Sequence, residues 1–119
     1  MLKLSNPQRE LLPLTPAVFF ILFALVGGEK HGYAIMQQVT ELSDHKFRMG
    51  PGTLYSTLQR LLGLALIEET ARKDDADERR RYYRLSGAGK ALLEAELARM
   101  ETLLRTAHRK RLVIQHANK

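Results

Sequence analysis

Residues 50–62 read GPGTLYSTLQRLL, a glycine-proline-glycine turn followed by regularly spaced leucines. Proline fits the first position of a helix, so the stretch predicts a helix that begins close to Gly50. Its leucines lie three and four residues apart, as on one buried helix face. The other face is polar and largely uncharged, and it carries Thr53, Ser56, Thr57, Gln59 and Arg60. We therefore expect a core to hold this helix by its leucines, with hydrogen-bonding groups facing outward.

Two helices are predicted ahead of this stretch. Thr15 can cap a helix and Pro16 can occupy its first position, so a helix is expected from there to about Gly27. Residues 17–26 are apolar on nearly every face, which places this helix at the centre of the fold. A second helix is predicted from about Gly32 to Leu42, and residues 1–13 are expected to form an arm or a short helix.

Strand-like sequence follows the leucine-rich helix. Residues 66–72 and 79–85 have strand character, and the charged segment 73–78 between them indicates a hairpin. Residues 47–49 are expected to form a short extended piece before the helix. Tyr82 and Tyr83 are neighbours on the second strand, so alternation predicts that one faces the core and the other the surface.

A long helix is predicted at the end of the chain. Ser86 can cap it, and it is expected to run from about Gly87 to beyond Arg109. Its apolar residues have heptad spacing, which favours pairing with a second copy of the chain. The predicted dimer interface consists of Leu93, Leu97, Met100, Leu104 and Ala107. Packing against the chain's own first helix is the alternative for part of this surface.

The order of these elements predicts a mainly α fold with a small β-hairpin, namely a winged helix-turn-helix followed by a long dimerisation helix. We expect a single fold with three parts: residues 1–13 as an arm, 14–86 as a winged-helix DNA-binding unit, and 87–119 as the dimerisation helix and a basic tail. In such folds the third helix enters the major groove of DNA. A helix about 10 to 12 Å wide fits a groove of about 12 Å.

Composition narrows the partners. Nineteen Lys and Arg residues against thirteen Asp and Glu give a net charge of +6, which suits DNA or an anionic membrane. The apolar run 17–26 is too short to cross roughly 30 Å of hydrocarbon, and no Ala-x-Ala cleavage site follows it. We expect a cytoplasmic protein that does not enter a membrane.

Enzyme chemistry finds no support in the sequence. The chain has no cysteine, which excludes a thiol nucleophile and a sulfur-ligated zinc. Residues 86–90 read SGAGK, but a phosphate loop needs four residues between its glycines and Ser or Thr after its lysine. The four histidines show no metal-binding spacing. We expect no catalytic residue, no metal and no cofactor.

Two features suit phosphate binding. The helix start at residues 50–53 presents unpaired backbone N–H groups, although the same sequence also describes a simple turn. Arginines fill residues 79–81, and Lys73 and Arg84 add to their charge. This basic run would release counterions on binding DNA, or it is an ordinary solvated strand face.

Three motifs together resemble the PadR family of bacterial transcriptional repressors. They are His31-Gly32-Tyr33, Gly50-Pro51-Gly52-Thr53-Leu54-Tyr55, and RYYRLSGAGK at residues 81–90. The resemblance covers most of residues 14–95 and is closest to the branch that dimerises through one long helix. It implies that the third helix is the recognition helix, with DNA contacts from Gly52, Thr53, Tyr55, Ser56, Gln59 and Arg60.

The resemblance extends to other parts of the chain. Tyr33 matches a family position near the DNA, although packing of its ring in the core is a second interpretation. The wing contacts expected are Lys73, Arg79, Arg80 and Arg81. The family further implies a homodimer that represses transcription from a palindromic operator on double-stranded DNA, and a small-molecule inducer that relieves the repression.

The chain departs from the family pattern at two points. Its glycine at position 63 comes two places early, since Ala65 stands where the family usually has glycine. The chain also has no tryptophan, so the tryptophan-lined ligand pocket of some relatives cannot be assumed. The extra leucines Leu62 and Leu64 support one alternative function, a winged-helix module that binds another protein through an exposed apolar patch.

Overall fold

The structure is a computed structural model, and it describes residues 3–72 and 80–111. The elements found in these two ranges are, in chain order, α1 (Asn6–Arg9), α2 (Pro16–Ala24), β1 (Lys30–His31), α3 (Gly32–Leu42), α4 (Pro51–Gly63), β2 (Ile67–Glu69), β3 (Tyr82–Leu85) and α5 (Gly87–Arg109). The predicted fold class is confirmed, because the chain is mainly helical with a small antiparallel sheet next to α4.

The sheet has three strands in the order β1-β3-β2. Ile67 lies opposite Leu85 on β2 and β3, while Lys30 lies opposite Tyr83 on β1 and β3. The strand β1 was not predicted, and the expected extended piece at residues 47–49 is not part of the sheet. A two-residue strand has no internal periodicity, so only its pairing with β3 defines it. Phe47 instead stacks on Phe20, with 5.9 Å between ring centroids.

Side-chain caps fix where the helices begin. The Thr15 hydroxyl accepts from the Val18 N–H, the His31 Nδ1 from the Ala34 N–H, and the Ser86 hydroxyl from the Gly89 N–H. Each bond satisfies a backbone N–H that the first helical turn leaves unpaired. The helix α2 ends at Ala24, three residues before the predicted end, and Gly28 then takes a φ of +131° in the turn that leads to β1.

The core forms around α2 and the leucine face of α4. Leu54, Leu58 and Leu61 are completely buried, together with Ile21 and Leu22 of α2. Buried apolar residues of α3, β2, β3 and α5 also belong to this cluster. The leucine spacing therefore predicted correctly which face of α4 points inward.

The turn from α4 to β2 contains the displaced glycine. Gly63 is the last residue of α4, and Ala65 takes the left-handed conformation, with a φ of +58°. Glycine is favoured at such a position because a Cβ atom crowds the backbone there. The chain therefore carries the less favourable residue at a left-handed position of this turn.

The arm before α2 is attached to the body at two points. Gln8 is buried, and its side-chain amide donates to the Leu64 carbonyl at 2.7 Å. Glu96 of α5 is completely buried, and its carboxylate accepts from the Leu14 N–H at 2.6 Å and from the Arg99 guanidinium. The arm thus connects the end of α4 with the middle of α5.

The wing, which consists of β2 and β3, is joined to α5 without a loop. Ser86 alone separates β3 from α5, and its hydroxyl donates to the Ala65 carbonyl at 2.7 Å. A Cβ atom on Gly89 would lie 2.0 Å from the Leu66 carbonyl oxygen. Glycine is required at this position for α5 to approach the start of β2 so closely.

The second half of α5 extends beyond the core. Leu92, Leu93 and Glu96 are buried, whereas every residue from Leu97 to Arg105 is exposed. The molecule measures 52 Å along its longest axis. Among the described residues, no helix combines the length and the apolar character needed to cross a membrane.

Candidate nucleic-acid interface

The outward face of α4 brings together the residues predicted for the recognition helix. All six of them are exposed, and they form one surface opposite the buried leucines: Gly52, Thr53, Tyr55, Ser56, Gln59 and Arg60. The hydroxyls of Ser56 and Thr57 donate to the Thr53 carbonyl. Each of these hydroxyls retains its acceptor capacity, so the face offers both donors and acceptors.

A polar cleft of about 470 Å³ lies between α3, α4 and β3. The residues that line it are His31, Gly32, Tyr33, Tyr55, Gln59, Arg80, Arg81 and Tyr83. None of these described residues carries a carboxylate. The cleft is therefore rich in hydrogen-bond donors and bears positive charge, which is the composition of an anion site.

The two tyrosines at the mouth of the cleft are exposed. Tyr33 is 58% exposed, so the structure does not support the interpretation that its ring packs in the core. Tyr55 covers Gly32, where an added Cβ atom would lie 2.6 Å from the Tyr55 hydroxyl oxygen. Glycine at position 32 therefore leaves room for the tip of the Tyr55 side chain against the start of α3.

The wing strands hold their arginines by ion pairs. Glu69 Oε1 accepts from Arg81 Nη1 at 2.7 Å, and Glu68 Oε1 accepts from Arg84 Nε at 3.1 Å. The bond to Glu69 also raises the pKa of Arg81. Lys73 and Arg79, which were predicted as wing contacts, lie outside the described residues.

Both neighbouring tyrosines of β3 are buried, so the prediction that one of them faces the surface is wrong. Tyr83 packs against the core and also lines the cleft. Tyr82 points to the other side of the sheet, where the Arg72 guanidinium lies 4.4 Å from its ring centroid and the His31 ring meets it edge-on. Two polar side chains from distant parts of the chain cover this ring, and strand alternation carries no information about such cover.

Burial raises the pKa of the Tyr83 phenol, and the nearby Glu69 carboxylate raises it further. The phenol is consequently neutral at physiological pH and does not repel an anion in the cleft.

Sequence reasoning missed two cations in front of α4. Lys46 and Arg48 are exposed, and neither pairs with a carboxylate in the described part of the chain. They lie in the connection that leads to the start of α4. Their position a few residues before the glycine-proline-glycine turn is a signal that could have identified them.

The predicted dimer stripe is divided by the core. Leu93 is buried within its own chain, whereas Leu97, Met100 and Leu104 are exposed. Ala107 is partly covered. Leu103 is 55% exposed and lies beside this stripe, although the heptad pattern did not include it.

The extra leucines that favoured a protein-binding module do not form an exposed patch. Leu62 and Leu64 are both partly buried and pack against the core. The arm lies over this region, because Gln8 bonds to the Leu64 carbonyl. These two leucines therefore give no support to the protein-binding alternative.

These features define a class of protein. A helical unit that exposes the polar face of α4, with an arginine-bearing β-hairpin beside it, is a winged helix-turn-helix of the DNA-binding type. Residues 21–95 match the transcriptional regulator PadR-like family. The chain belongs to this family and is a PadR-family transcriptional regulator.

Two relatives differ in how much of their length is shared. The transcriptional regulator Rv3488 of Mycobacterium tuberculosis is 40% identical over 85 residues, which are 71% of this chain and 76% of Rv3488. A 37.1 kDa protein of transposon TN4556 from Streptomyces fradiae is 39% identical over 87 residues. That match spans 73% of this chain and 24% of the transposon protein.

Solved structures show the same fold. A PadR family transcription regulator from Clostridium difficile superposes with a TM-score of 0.68 at 26% identity, over 80% of this chain and 97% of that one. Bacillus subtilis PadR in complex with operator DNA superposes with a TM-score of 0.63 at 24% identity. That match covers 71% of this chain and 47% of PadR, and at this identity it concerns the fold.

Proposed function

We propose that the protein is a homodimeric repressor that binds a palindromic operator on double-stranded DNA. In this proposal residues 14–86 bind DNA and residues 87–119 provide dimerisation. The observation that carries it is the exposed polar face of α4, which two exposed cations precede in the chain and which the donor-rich cleft flanks. We expect a cytoplasmic location, as for other regulators of transcription.

Base reading is assigned to α4. Gln59 and Arg60 are exposed in its second half, and both side-chain types form bidentate hydrogen bonds with base edges in the major groove. Arg60 has no ion pair with a described carboxylate, so its guanidinium does not have to leave such a partner. Thr53 and Ser56 are nearer the helix start and can bind either bases or phosphates.

Phosphate binding is assigned to the surroundings of α4. Lys46 and Arg48 lie before the helix, and Arg80 and Arg81 lie beside it on the wing. Each phosphate that such a cation neutralises releases condensed counterions, so affinity falls steeply as salt rises. These contacts would fix the register of α4 in the groove and carry no sequence information of their own.

Dimerisation is assigned to the exposed half of α5. Leu97, Met100, Leu103 and Leu104 expose apolar surface on a helix that has left its own core. A second copy would cover this surface on both chains through one isologous contact. An apolar groove of about 420 Å³ continues the same surface onto Phe23 and Val26, and this continuity favours a second copy of the chain.

The twofold axis would set the geometry of the operator. Two α4 helices would read half-sites about 34 Å apart, which is one turn of DNA, so the operator should be an imperfect palindrome. A dimer bound across a promoter would repress transcription by occlusion.

The first test is a fluorescence-anisotropy titration of the protein onto the promoter upstream of its own gene and onto a scrambled duplex, at two salt concentrations. We expect tighter binding to the promoter and a steep loss of affinity at the higher salt. Equal binding to both duplexes would contradict sequence recognition. No binding at low salt would contradict the proposal as a whole.

Single substitutions separate base reading from phosphate binding. We expect Arg60→Ala to reduce the preference for the promoter over the scrambled duplex, and Arg48→Ala to weaken binding to both duplexes equally. Arg9→Ala is the control, because Arg9 is an exposed arginine on α1, outside the residues assigned to base reading, phosphate binding and dimerisation. A loss of affinity in Arg9→Ala as large as in Arg48→Ala would point to a general charge effect.

Oligomeric state tests the role of α5. We expect Leu104→Glu to convert the dimer to a monomer in sedimentation velocity, because it places a charge in the apolar contact. Thr102→Glu introduces the same charge on the same half of the helix, at an exposed polar residue, and should leave the dimer intact. A wild-type protein that sediments as a monomer at micromolar concentration would contradict the dimer.

We further propose that a small-molecule inducer relieves repression, on the basis of the family resemblance. Such a ligand must bind the two states of the dimer with different affinity in order to shift their balance. We expect a metabolite screen to find a compound that changes both thermal stability and operator affinity. A broad screen that changes neither would remove the support for an inducer.

A further inference from the structure

Glu69 is a carboxylate close to a surface that is proposed to bind a polyanion. On charge alone it should oppose DNA binding. Its position indicates a different role, because its Oε1 lies 2.7 Å from Arg81 Nη1. Arg81 in turn lines the cleft between α3, α4 and β3. Glu69 itself is not among the residues that line the cleft.

The register of the wing strands explains this arrangement. Glu69 on β2 lies opposite Tyr83 on β3, and Arg81 comes two residues before Tyr83. Side chains two residues apart lie on the same face of a strand, so Arg81 and Tyr83 both face the cleft side. The Glu69 carboxylate holds one nitrogen of the guanidinium, and an arginine has further N–H donors that can bind an anion.

The cleft fits a phosphodiester. It offers the hydroxyls of Tyr33 and Tyr55, the amide of Gln59 and the guanidinium of Arg81, with no carboxylate on the described residues that line it. Planar guanidinium groups bind phosphate oxygens through paired, charge-assisted hydrogen bonds. A volume of about 470 Å³ leaves room for the sugars next to the phosphate.

We propose that Glu69 is a positioning residue, which holds Arg81 ready to bind one backbone phosphate in this cleft. The proposal rests on the proposed DNA-binding function and refines it. Arg81 is 67% exposed, and a free side chain of this length would lose conformational freedom on binding. The ion pair removes part of that loss before DNA arrives.

The substitution Glu69→Gln distinguishes positioning of Arg81 from repulsion of DNA, because the two roles predict opposite changes in the affinity for operator DNA. If Glu69 positions Arg81, the variant binds operator DNA about two- to tenfold more weakly, as expected when one long side chain must be ordered on binding. If Glu69 merely repels DNA, the variant binds more tightly. Anisotropy titration at low salt measures the difference.

Glu68→Gln is the matched control. Glu68 precedes Glu69 on the same strand, and it pairs with Arg84, which lines the apolar groove and not the cleft. The substitution removes the same charge from the same strand, so it reports the general electrostatic effect alone. We expect unchanged or slightly tighter binding in Glu68→Gln and weaker binding in Glu69→Gln.

A double substitution separates positioning of Arg81 from a general structural role of Glu69, because only positioning requires that Arg81 be present. In an Arg81→Ala background, Glu69→Gln should no longer weaken binding, because the side chain that it positions is absent. Arg81→Lys should weaken binding with the net charge unchanged, because lysine cannot form the paired contact.

The outcomes separate the two levels of the proposal. A wild-type protein that binds no duplex would overturn both the proposed function and the role of Glu69. A wild-type protein that binds DNA, with Glu69→Gln binding as tightly as Glu68→Gln or tighter, would overturn the positioning role alone. A loss in Glu69→Gln that persists without Arg81 would also overturn it.

Discussion

Helices α4 and α5 both carry apolar residues at intervals of three and four, and they differ in what covers those residues. On α4, Leu54, Leu58 and Leu61 are all completely buried inside the chain. On α5, Leu93 is buried, but Leu97 is 38% exposed and Leu104 is 49% exposed. The change occurs within one turn of α5, directly after the buried carboxylate of Glu96.

The difference shows that an apolar stripe predicts burial of that helix face but does not indicate whether the same chain or another molecule buries it. The core of a small domain can bury only a limited apolar area, and the leucine face of α4 is buried in it completely. The distal half of α5 is left with apolar surface that no other part of residues 3–72 and 80–111 covers. Substitutions along the two helices should therefore affect different quantities, namely the stability of the fold and the stability of the assembly.

The largest effect is expected for Leu58→Ala on α4. Leu58 is completely buried, so the substitution removes packing and leaves a cavity, which costs about 3 kcal/mol in the free energy of unfolding. Urea denaturation followed by circular dichroism measures this loss. A loss below about 1 kcal/mol would show that the core around α4 relaxes around the cavity.

The next largest effect on the free energy of unfolding is expected at Glu96, which lies between the buried and the exposed half of α5. The bond from Arg99 lowers the pKa of this carboxyl, the Leu14 N–H lowers it further, and burial opposes both. A carboxyl with a lowered folded-state pKa stabilises the fold above its unfolded pKa of about 4.3, and this contribution disappears as pH falls through the folded value.

We therefore expect Glu96→Gln to lose about 2 kcal/mol in the free energy of unfolding at pH 7, typical of a hydrogen bond to a charged group. The difference from wild type should shrink as pH falls below about 4.3. Glu94→Gln, at an exposed position of the same helix, is the control and should change little at either pH. A difference from wild type that grows in acid would contradict a lowered pKa for Glu96.

A smaller gain is expected at the end of α4. Ala65 has a φ of +58°, a conformation that costs an L-residue roughly 1 kcal/mol, so Ala65→Gly should stabilise the protein by about that amount. Thermal denaturation measures the gain. Gly63→Ala is the companion variant, because a Cβ atom at Gly63 meets no atom within 4 Å. Destabilisation by Ala65→Gly would show that the alanine methyl group contributes packing that outweighs its strain.

The smallest effect on the fold itself is expected for Leu104→Ala on α5. Leu104 lies where no described part of its own chain buries it, so the isolated chain should lose less than about 0.5 kcal/mol on unfolding. If the proposed dimer forms, the melting temperature should depend less on protein concentration than in wild type, because the substitution would weaken that dimer. A concentration-independent loss comparable to that of Leu58→Ala would remove the contrast between the two helices.

The sequence allowed the fold class and the polar face of α4 to be predicted, because both depend on local periodicity and on caps such as Thr15 and Ser86. The strand β1 was missed, since only its pairing with Tyr82 and Tyr83 makes Lys30 and His31 a strand. The cover of Tyr82 was missed for the same kind of reason. Contacts between residues far apart in the chain leave no periodic trace.

At the candidate site, the exposed residues were predictable and their partners were not. Tyr55, Gln59 and Arg60 followed from helical spacing and from the family motif. The pairing of Arg81 with Glu69 depends on the register of two strands whose connecting segment is rich in charge, and no local pattern specifies that register. A count of basic residues therefore overstates how many of them lack an acidic partner.

The close approach at Gly89 has a mechanical consequence. With only Ser86 between β3 and α5, and with no room for a side chain at Gly89 against the Leu66 carbonyl, we expect little bending at this joint. The 23 residues of α5 form one continuous helix about 34 Å long. We therefore expect a tilt of its far end to be transmitted to β3, because only Ser86 separates the two elements.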